Sequence, residues 1–419
     1  MMDSQLPRSA HASLPSVARP SFEALFSYGF RPFFLGAAVH AALTMAVWIA
    51  WLATVSLGSA QDWLPVAGSP IAWHAHEMVF GFAAAAIGGF LLTAVPNWTG
   101  ALPLSGLPLV VLFVAWLLGR LAMGLSAGLP YPLVLAIDVL FLPLLGATAA
   151  RQLFVRPARR NLVFLVLVAA LTLCNILFHL GNADIIAVDP LATVRIAILI
   201  VTLMVAIIGG RIIPAFTHNW MHGKQASAAR PRRSLWLDRT ALVALAALVL
   251  LEIASAPEAL IGATALIATL ANGARLALWR GAATRSEPIV WVLHLGYAWI
   301  VIGLALRTLA AFSDAVPEAI VMHAFGTGAI GTMILAVMTR ASLGHTGRRI
   351  IAARPVVWSY YMVTLAALLR VGAPLLDARL YGPALVIAAL AWIGAFAIFA
   401  YIYAAILTTQ RVHTKVARP

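Results

Sequence analysis

Eleven histidines punctuate a chain in which only 10% of residues are charged, and they are densest in Trp-His-Ala-His-Glu-Met, residues 73–78. Imidazole binds haem iron, copper and zinc, and it carries protons near neutral pH. Ser69 as N-cap and Pro70 as first helical residue would make Trp73 to Val79 helical already. His74 and His76, two residues apart, then point about 200° apart. They cannot share one metal on a regular helix. The expected division has one histidine on a metal, while the other, with Glu77 and Met78, orients imidazoles or meets a second metal.

The remaining donors are His40, His179, His218, His222, His294, His323 and His345, with His11 and His413 set aside in the tails. The one cysteine, Cys174, lies in an apolar run, so neither a disulfide framework nor a thiolate cluster is available. No Walker-type phosphate loop and no Cys-x-x-Cys-His occur, so a bound haem would be non-covalent.

These side chains must be held by membrane helices. The chain is 63% hydrophobic with a mean hydropathy of +0.96, far from the balance of a soluble globule. About 20 apolar residues cross the hydrocarbon layer as a helix that satisfies its own backbone hydrogen bonds. Twelve runs qualify, at 32–55, 76–96, 105–125, 131–150, 161–181, 192–214, 236–254, 259–279, 289–310, 318–339, 355–373 and 383–407. The fold class is therefore an all-α polytopic membrane protein. It comprises a tail over 1–30, a single twelve-helix domain over 31–408 and a basic tail over 409–419. The first thirty residues lack the compact apolar core of a signal peptide.

Arginine and lysine lie in alternate loops, at Arg151 to Arg160, Lys224 to Arg233, Arg275 to Arg285 and Arg348 to Arg354, while the intervening loops hold Asp62, Asp184, Asp189, Glu258, Asp314 and Glu318. The positive-inside rule then puts both termini in the cytoplasm. The formal charge of +14 is spread over these loops rather than gathered on one stripe, so it reads as topology and not as nucleic-acid binding.

This topology brings His74, His76, His179 and His323 to one depth at the outer ends of runs 2, 5 and 10. His218, His222, His294 and His345 fall at the inner side. Two helices offering one histidine each at equal depth can clamp a haem, and His76 with His323 is the expected axial pair. Arg195 and Arg307, near the outer ends of their runs, are candidates for the haem propionates. Arg120 and Asp138 run antiparallel at similar depth and are expected to pair as a structural couple.

Aligned without gaps from His76 and from His323, runs 2 and 10 share the histidine, Gly81 with Gly328, Ile87 with Ile334, Ala94 with Ala341, and a final Thr-Gly. Run 6 ends in a related way but has Arg195 near the histidine position. These matches suggest repeats, within an array of three four-helix units. Gly209, Gly210 and Pro214 are expected to break run 6, and RASLGHTG to end run 10, so as to close the inner face or build a second site at His218 and His345.

With these blocks in order, FRPFFLGAA, WHAHEMVFGF, LLTAVPNWTG, GGRIIPAFTHN and MTRASLGHTGR together resemble the NnrS family, from about Phe30 to the last helix. The resemblance implies a bacterial inner-membrane protein with haem b and copper, linked to denitrification and relief of nitric oxide stress. It also implies that the ligand candidates are His74, His76, His323 and His345. His218 and His294 remain further metal candidates. The expected function is binding or relieving nitric oxide or iron–nitrosyl species, with lipid as the surrounding partner and an unidentified redox partner. The alternatives are a secondary transporter of a small solute or metal- or haem-related cargo without redox chemistry, and an assembly factor with haem as cargo.

Overall fold

A computed structural model describes residues 19–56, 58, 63–155, 159–223 and 230–412. His11, His413, most of both tails, and Asp62, Arg156 and Lys224 lie outside the described residues. After a single helical turn at Phe22–Leu25, twelve long helices follow: α1 (Phe30–Ser56), α2 (Pro70–Thr99), α3 (Leu107–Gly124), α4 (Tyr131–Val155), α5 (Arg159–Asn182), α6 (Pro190–Gly223), α7 (Leu235–Ile253), α8 (Glu258–Leu278), α9 (Pro288–Phe312), α10 (Glu318–His345), α11 (Arg354–Leu375) and α12 (Ala378–Leu407). No strand occurs among the described residues.

Eleven of the twelve are long and apolar enough to cross a membrane. The other, α7, has 19 residues, a length of about 28 Å, but carries Asp238, Arg239 and Glu252. Two of those charges are neutralised internally: Asp238 binds Arg233 and Arg275, and Glu252 binds Arg307. The odd-numbered loops, between α1 and α2 and so on, hold most of the loop acids, Glu287 being an exception, and the even-numbered loops hold most arginines. The two faces are called here the acidic and basic ends.

Helix starts follow local chemistry. Ser69 caps α2 by accepting from the Ile71 backbone N–H, with Pro70 at the first turn, and the Asp189 carboxylate caps α6 ahead of Pro190. Both arrangements satisfy orphan N–H groups that a helix start leaves open. The expected break in α6 does not occur. The helix runs unbroken through Gly209, Gly210 and Pro214, and the glycines instead admit the side chains of Tyr297 and Arg275 against its backbone.

Packing repeats every four helices. Within each unit the first helix packs on the second (α1 on α2, α5 on α6, α9 on α10) and the third on the fourth (α3 on α4, α7 on α8, α11 on α12). Between units α4 meets α5, α8 meets α9, and α12 meets α1, which closes the ring. The closure is fixed by Arg31 of α1, whose Nη1 donates to the carbonyls of Leu407 (2.8 Å) and Thr409 (2.6 Å) beyond the end of α12. At the centre α2, α6 and α10 touch one another and are the most buried of the spans.

The match between α2 and α10 extends to the backbone. In α2 the α-helix gives way after His76 to a π-helical segment, Glu77–Ala83. In α10 it gives way after His323 to another, Ala324–Gly331. The two π segments touch. The matched glycines lie inside them. Gly81 leaves room for His40 of α1, and Gly328 for the Trp299 indole of α9, so in each unit the first helix presses a ring onto the second. At the far ends Gly100 and Gly347 take φ values of 67° and 73°, the left-handed conformation that glycine adopts without a Cβ clash.

A Cβ at position 328 would meet the Trp299 indole. Gly328→Ala should therefore destabilise the protein by about 1–3 kcal/mol through overpacking, seen as a lower thermal midpoint in detergent. An unchanged midpoint would show that the indole is free to retreat.

Candidate metal centre

Near the acidic end, α1 to α5 converge on a polar group sealed from solvent. His76 and His179 are 0% exposed, Glu77 and Asn175 1%, Asp138 3% and Arg120 9%. The Arg120 guanidinium of α3 bridges two carboxylates, donating from Nη1 to Glu77 Oε1 at 2.5 Å and from Nη2 to Asp138 Oδ1. Glu77 Oε2 is also 3.0 Å from His40 Nε2. The second Asp138 oxygen, Oδ2, accepts from Asn175 Nδ2 (2.8 Å) and faces His179 Nε2 (2.9 Å) and His76 Nε2 (3.2 Å).

Local sequence places each group. The turn that changes from α to π geometry carries His76 and Glu77 inward together, with His76 Nδ1 3.1 Å from Glu77 Oε1. Asn175 and His179 are four apart, one helical turn, and so share a face of α5. Tyr131 and Asp138, seven apart on α4, do the same, and the Tyr131 hydroxyl is 3.1 Å from His179 Nδ1. Trp116 of α3 donates to the Gly81 carbonyl within the π segment.

Donor bookkeeping fixes the charge. Asn175 spends its Nδ2 on Asp138, so its Oδ1 faces His76 Nε2 at 2.8 Å. Both ring nitrogens of His76 therefore meet only acceptors. Two carboxylates and one guanidinium leave one negative charge, to be offset by positive charge on one of the rings that face the carboxylates, His76, His40 or His179, or on a bound cation. Either a proton or a metal ion supplies it, and burial makes that cancellation costly to omit.

His76, Asp138 and His179 each offer one ligand atom, all within 4.8 Å of one another. Ligands at about 2.0–2.2 Å around a tetrahedral ion stand roughly 3.3–3.5 Å apart. The two His-to-Asp138 separations are already close to that. Two imidazoles and one carboxylate suit copper, zinc or iron, so the residues fit a metal with little rearrangement.

The helix geometry of WHAHEM sends His74 elsewhere. Its ring stacks on Trp48 of α1, with centroids 4.4 Å apart, and its buried Nδ1 has no hydrogen-bond partner among the described residues. His323 lies within electrostatic reach of His74. Its Nδ1 is 2.6 Å from the Ala319 carbonyl, which leaves Nε2 free as a ligand atom. Arg370 of α11 acts electrostatically on both rings and belongs to no ion pair among the described residues. The four histidines at one depth thus divide into His76 with His179 and His74 with His323. His76, expected opposite His323, faces α4 and α5 instead.

The other expected site residues are placed as follows. Arg195 pairs with Glu318, and Arg307 with Glu252 and Glu258; both guanidiniums are held by protein carboxylates. Met78 is half-buried beside the inward-facing Glu77. His218 neighbours His222, with ring centroids 6.3 Å apart. His294 Nε2 is 2.8 Å from the Thr217 hydroxyl. His345 lies beside the rings of Tyr28 and Phe30, and the structure does not join it to His218. Gly124 to Gly128 has Gly-x-Ser-x-Gly spacing, yet Ser126 is buried, donates to the Met123 carbonyl and accepts from the Ala67 N–H. No histidine hydrogen-bonds to it among the described residues.

The Arg120–Asp138 pair is legible in the sequence as a structural couple and His40 as a donor without an assigned role, whereas Asn175, Tyr131 and Arg370 are not singled out there. The available signals were the Asn175/His179 turn spacing and an acid in α4 at the depth of the histidines.

Removing one member of a buried ion group leaves its partner's charge unpaired, at about 3–5 kcal/mol. Asp138→Asn should destabilise the bundle by that amount, measured by thermal and denaturant unfolding in detergent, whereas Arg195→Gln at the partly exposed pair should cost under about 1 kcal/mol. Equal effects would argue against the buried cluster as the tighter constraint.

No match was found among curated proteins. A family model described as NnrS protein matches residues 24–411, which takes in all twelve long helices in full. The ordered blocks, the helical membrane architecture and this match agree: the chain belongs to the NnrS family.

Proposed function

We propose that this protein is a haem- and copper-holding component of the bacterial cytoplasmic membrane, with both termini in the cytoplasm, that acts in nitric oxide resistance. Membership of the NnrS family supports the nitric oxide link. The observation that carries the metal reading is the fully buried His76, Asp138 and His179 group, with donor atoms within 4.8 Å.

In this reading copper takes His76, Asp138 and His179, and haem b takes His74 and His323, with Arg370 supplying charge for the propionates. The orphaned Nδ1 of His74 and the free Nε2 of His323 support the second assignment. Haem held there would supply affinity for nitric oxide or iron–nitrosyl species where one of the two histidines leaves a position on the iron open, tuned by the remaining ligand and its hydrogen bonds. The protein does the rest. Arg120 holds the Asp138 carboxylate in place, Asn175 fixes its second oxygen, and Ala319 orients the His323 ring. Trp48 covers one face of His74, and the packed helices exclude water from the His76 group.

A second reading, a secondary transporter, is supported by the repeated four-helix packing and by a cavity between the central helices. Metal analysis with oxidised and reduced absorbance spectra separates the two. On the proposed reading His179→Ala loses copper while keeping the Soret band, and His74→Ala or His323→Ala loses or shifts the Soret band while keeping copper. Absence of both metals from protein expressed with haem and copper supplied would favour the transporter.

A further inference from the structure

The central helices leave a chamber of ≈ 60 Å³ where α2, α6 and α10 meet. Among the described residues every side chain that lines it is apolar, and Ile87, Val201, Met204, Val205, Met333 and Met338 in its wall are buried. Positions matched between α2 and α10 line it together: Ala86 with Met333, Ile87 with Ile334, and Phe90 with Val337. The first of these pairs lies ten residues beyond His76 and His323, or about 15 Å along a helix.

A larger cavity of ≈ 430 Å³ adjoins the chamber toward the basic end and shares Phe34, Phe90, Ile208 and Val337 with it. This outer cavity is polar where the chamber is not. Asn97, Arg211, Arg340 and His345 line it, and Asn97, Gly344, His345 and Ile350 are exposed. Arg211 donates to Asn161 Oδ1 (2.6 Å), Arg340 lies over the Phe216 ring, and His345 stacks beside Tyr28. Polar groups of this kind hold water, which needs about two to four partners in a protein interior. The chamber offers none, so water entering it would give up its hydrogen bonds and an ion its hydration. Apolar cavities of this kind stay dry and take small apolar guests such as xenon. Roughly 10–15 Å³ on the same measure holds one water-sized molecule, so the chamber has room for a diatomic gas. The thioethers of Met204, Met333 and Met338 add polarisable surface for dispersion contacts.

We propose that the inner chamber is a docking place for a small, uncharged apolar gas, reached from the basic end through the outer cavity. The wet outer cavity admits polar solutes as far as the Phe34, Phe90 and Val337 wall, and the dry chamber behind it selects against them. On the function proposed above the gas is nitric oxide, and that part of the inference rests on that reading. The chamber itself rests on its geometry alone, and xenon keeps the two apart because it reports the cavity without any metal.

The test follows xenon binding to full-length protein in detergent by xenon NMR, and nitric oxide association with the reduced protein by stopped-flow absorbance. Saturable xenon binding is expected. Ala86→Leu, which fills the chamber, should abolish it and slow nitric oxide association several-fold. Val337→Phe, in the wall that the two cavities share, should keep xenon binding but slow its exchange several-fold. Val243→Phe, on the exposed outer face of α7, should change neither. If Ala86→Leu folds poorly, competition in the unaltered protein serves instead, and saturating xenon should slow nitric oxide association several-fold. No xenon binding to the unaltered protein, as when a lipid or detergent chain fills the chamber, would overturn the proposal. So would unchanged xenon exchange in Val337→Phe, or an unchanged nitric oxide rate once xenon binding is lost. Xenon binding in a protein that takes up no nitric oxide would instead count against the proposed function and leave the chamber as a gas site.

Discussion

The Arg120 guanidinium holds together the first five helices from inside. It is the fixed cation between Glu77 of α2 and Asp138 of α4, in a place where neither acid is exposed to water. Every other polar group in the cluster takes its position from those two carboxylates. Glu77 directs His40 and one nitrogen of His76, and Asp138 directs His179, Asn175 and the other nitrogen of His76. A low-dielectric interior makes each contact stronger and each missing partner more costly. A small displacement of α3 would therefore disturb groups on four other helices.

The π segments explain how a helix crowded with small residues can also carry this load. A π turn inserts an extra residue into the helical repeat and frees backbone groups, and such turns are frequent at functional sites. In α2 the segment begins directly after His76 and turns Glu77 into the cluster, and the Gly81 carbonyl receives the Trp116 indole N–H besides the Ala84 N–H. In α10 the same change follows His323. The shared register of histidine, π segment, tightly approached glycine and left-handed terminal glycine is more than small residues recurring in packed helices would produce. With the four-helix periodicity of packing, it describes α2 and α10 as equivalent central members of a ring, and α6 as a third central helix built without the histidine or the π turn.

WHAHEM consequently forms a partition. One side, through His76 and Glu77, belongs to a closed, charge-balanced group among α1 to α5. The other, through His74, looks toward α1 and α10, where His323 and Arg370 are found. The basic end is organised differently: there Asp238 pairs with Arg233 and Arg275, while Arg211 and Arg340, beside a cavity, have no carboxylate partner among the described residues.

The sequence by itself determined the membrane class, the existence of nearly every span, the capped start at Ser69-Pro70, and the divergence of His74 from His76. These follow from local rules: hydrocarbon demands long apolar helices, and helical periodicity separates residues two apart. It also marked Gly81, Gly328, Gly100 and Gly347 as matched positions before their backbone conformations were known. Tertiary structure alone decided which histidines meet. Depth in a membrane places residues on a level but says nothing of the angle around the bundle, so His76 and His323 looked equivalent partners although they face different helices. Nor could spacing reveal that Arg195 and Arg307 are occupied by Glu318, Glu252 and Glu258 while Arg211, Arg340 and Arg370 have no acidic partner among the described residues. Pairing of charges depends on which helices are neighbours, and that was settled by the closing of the twelve-helix ring.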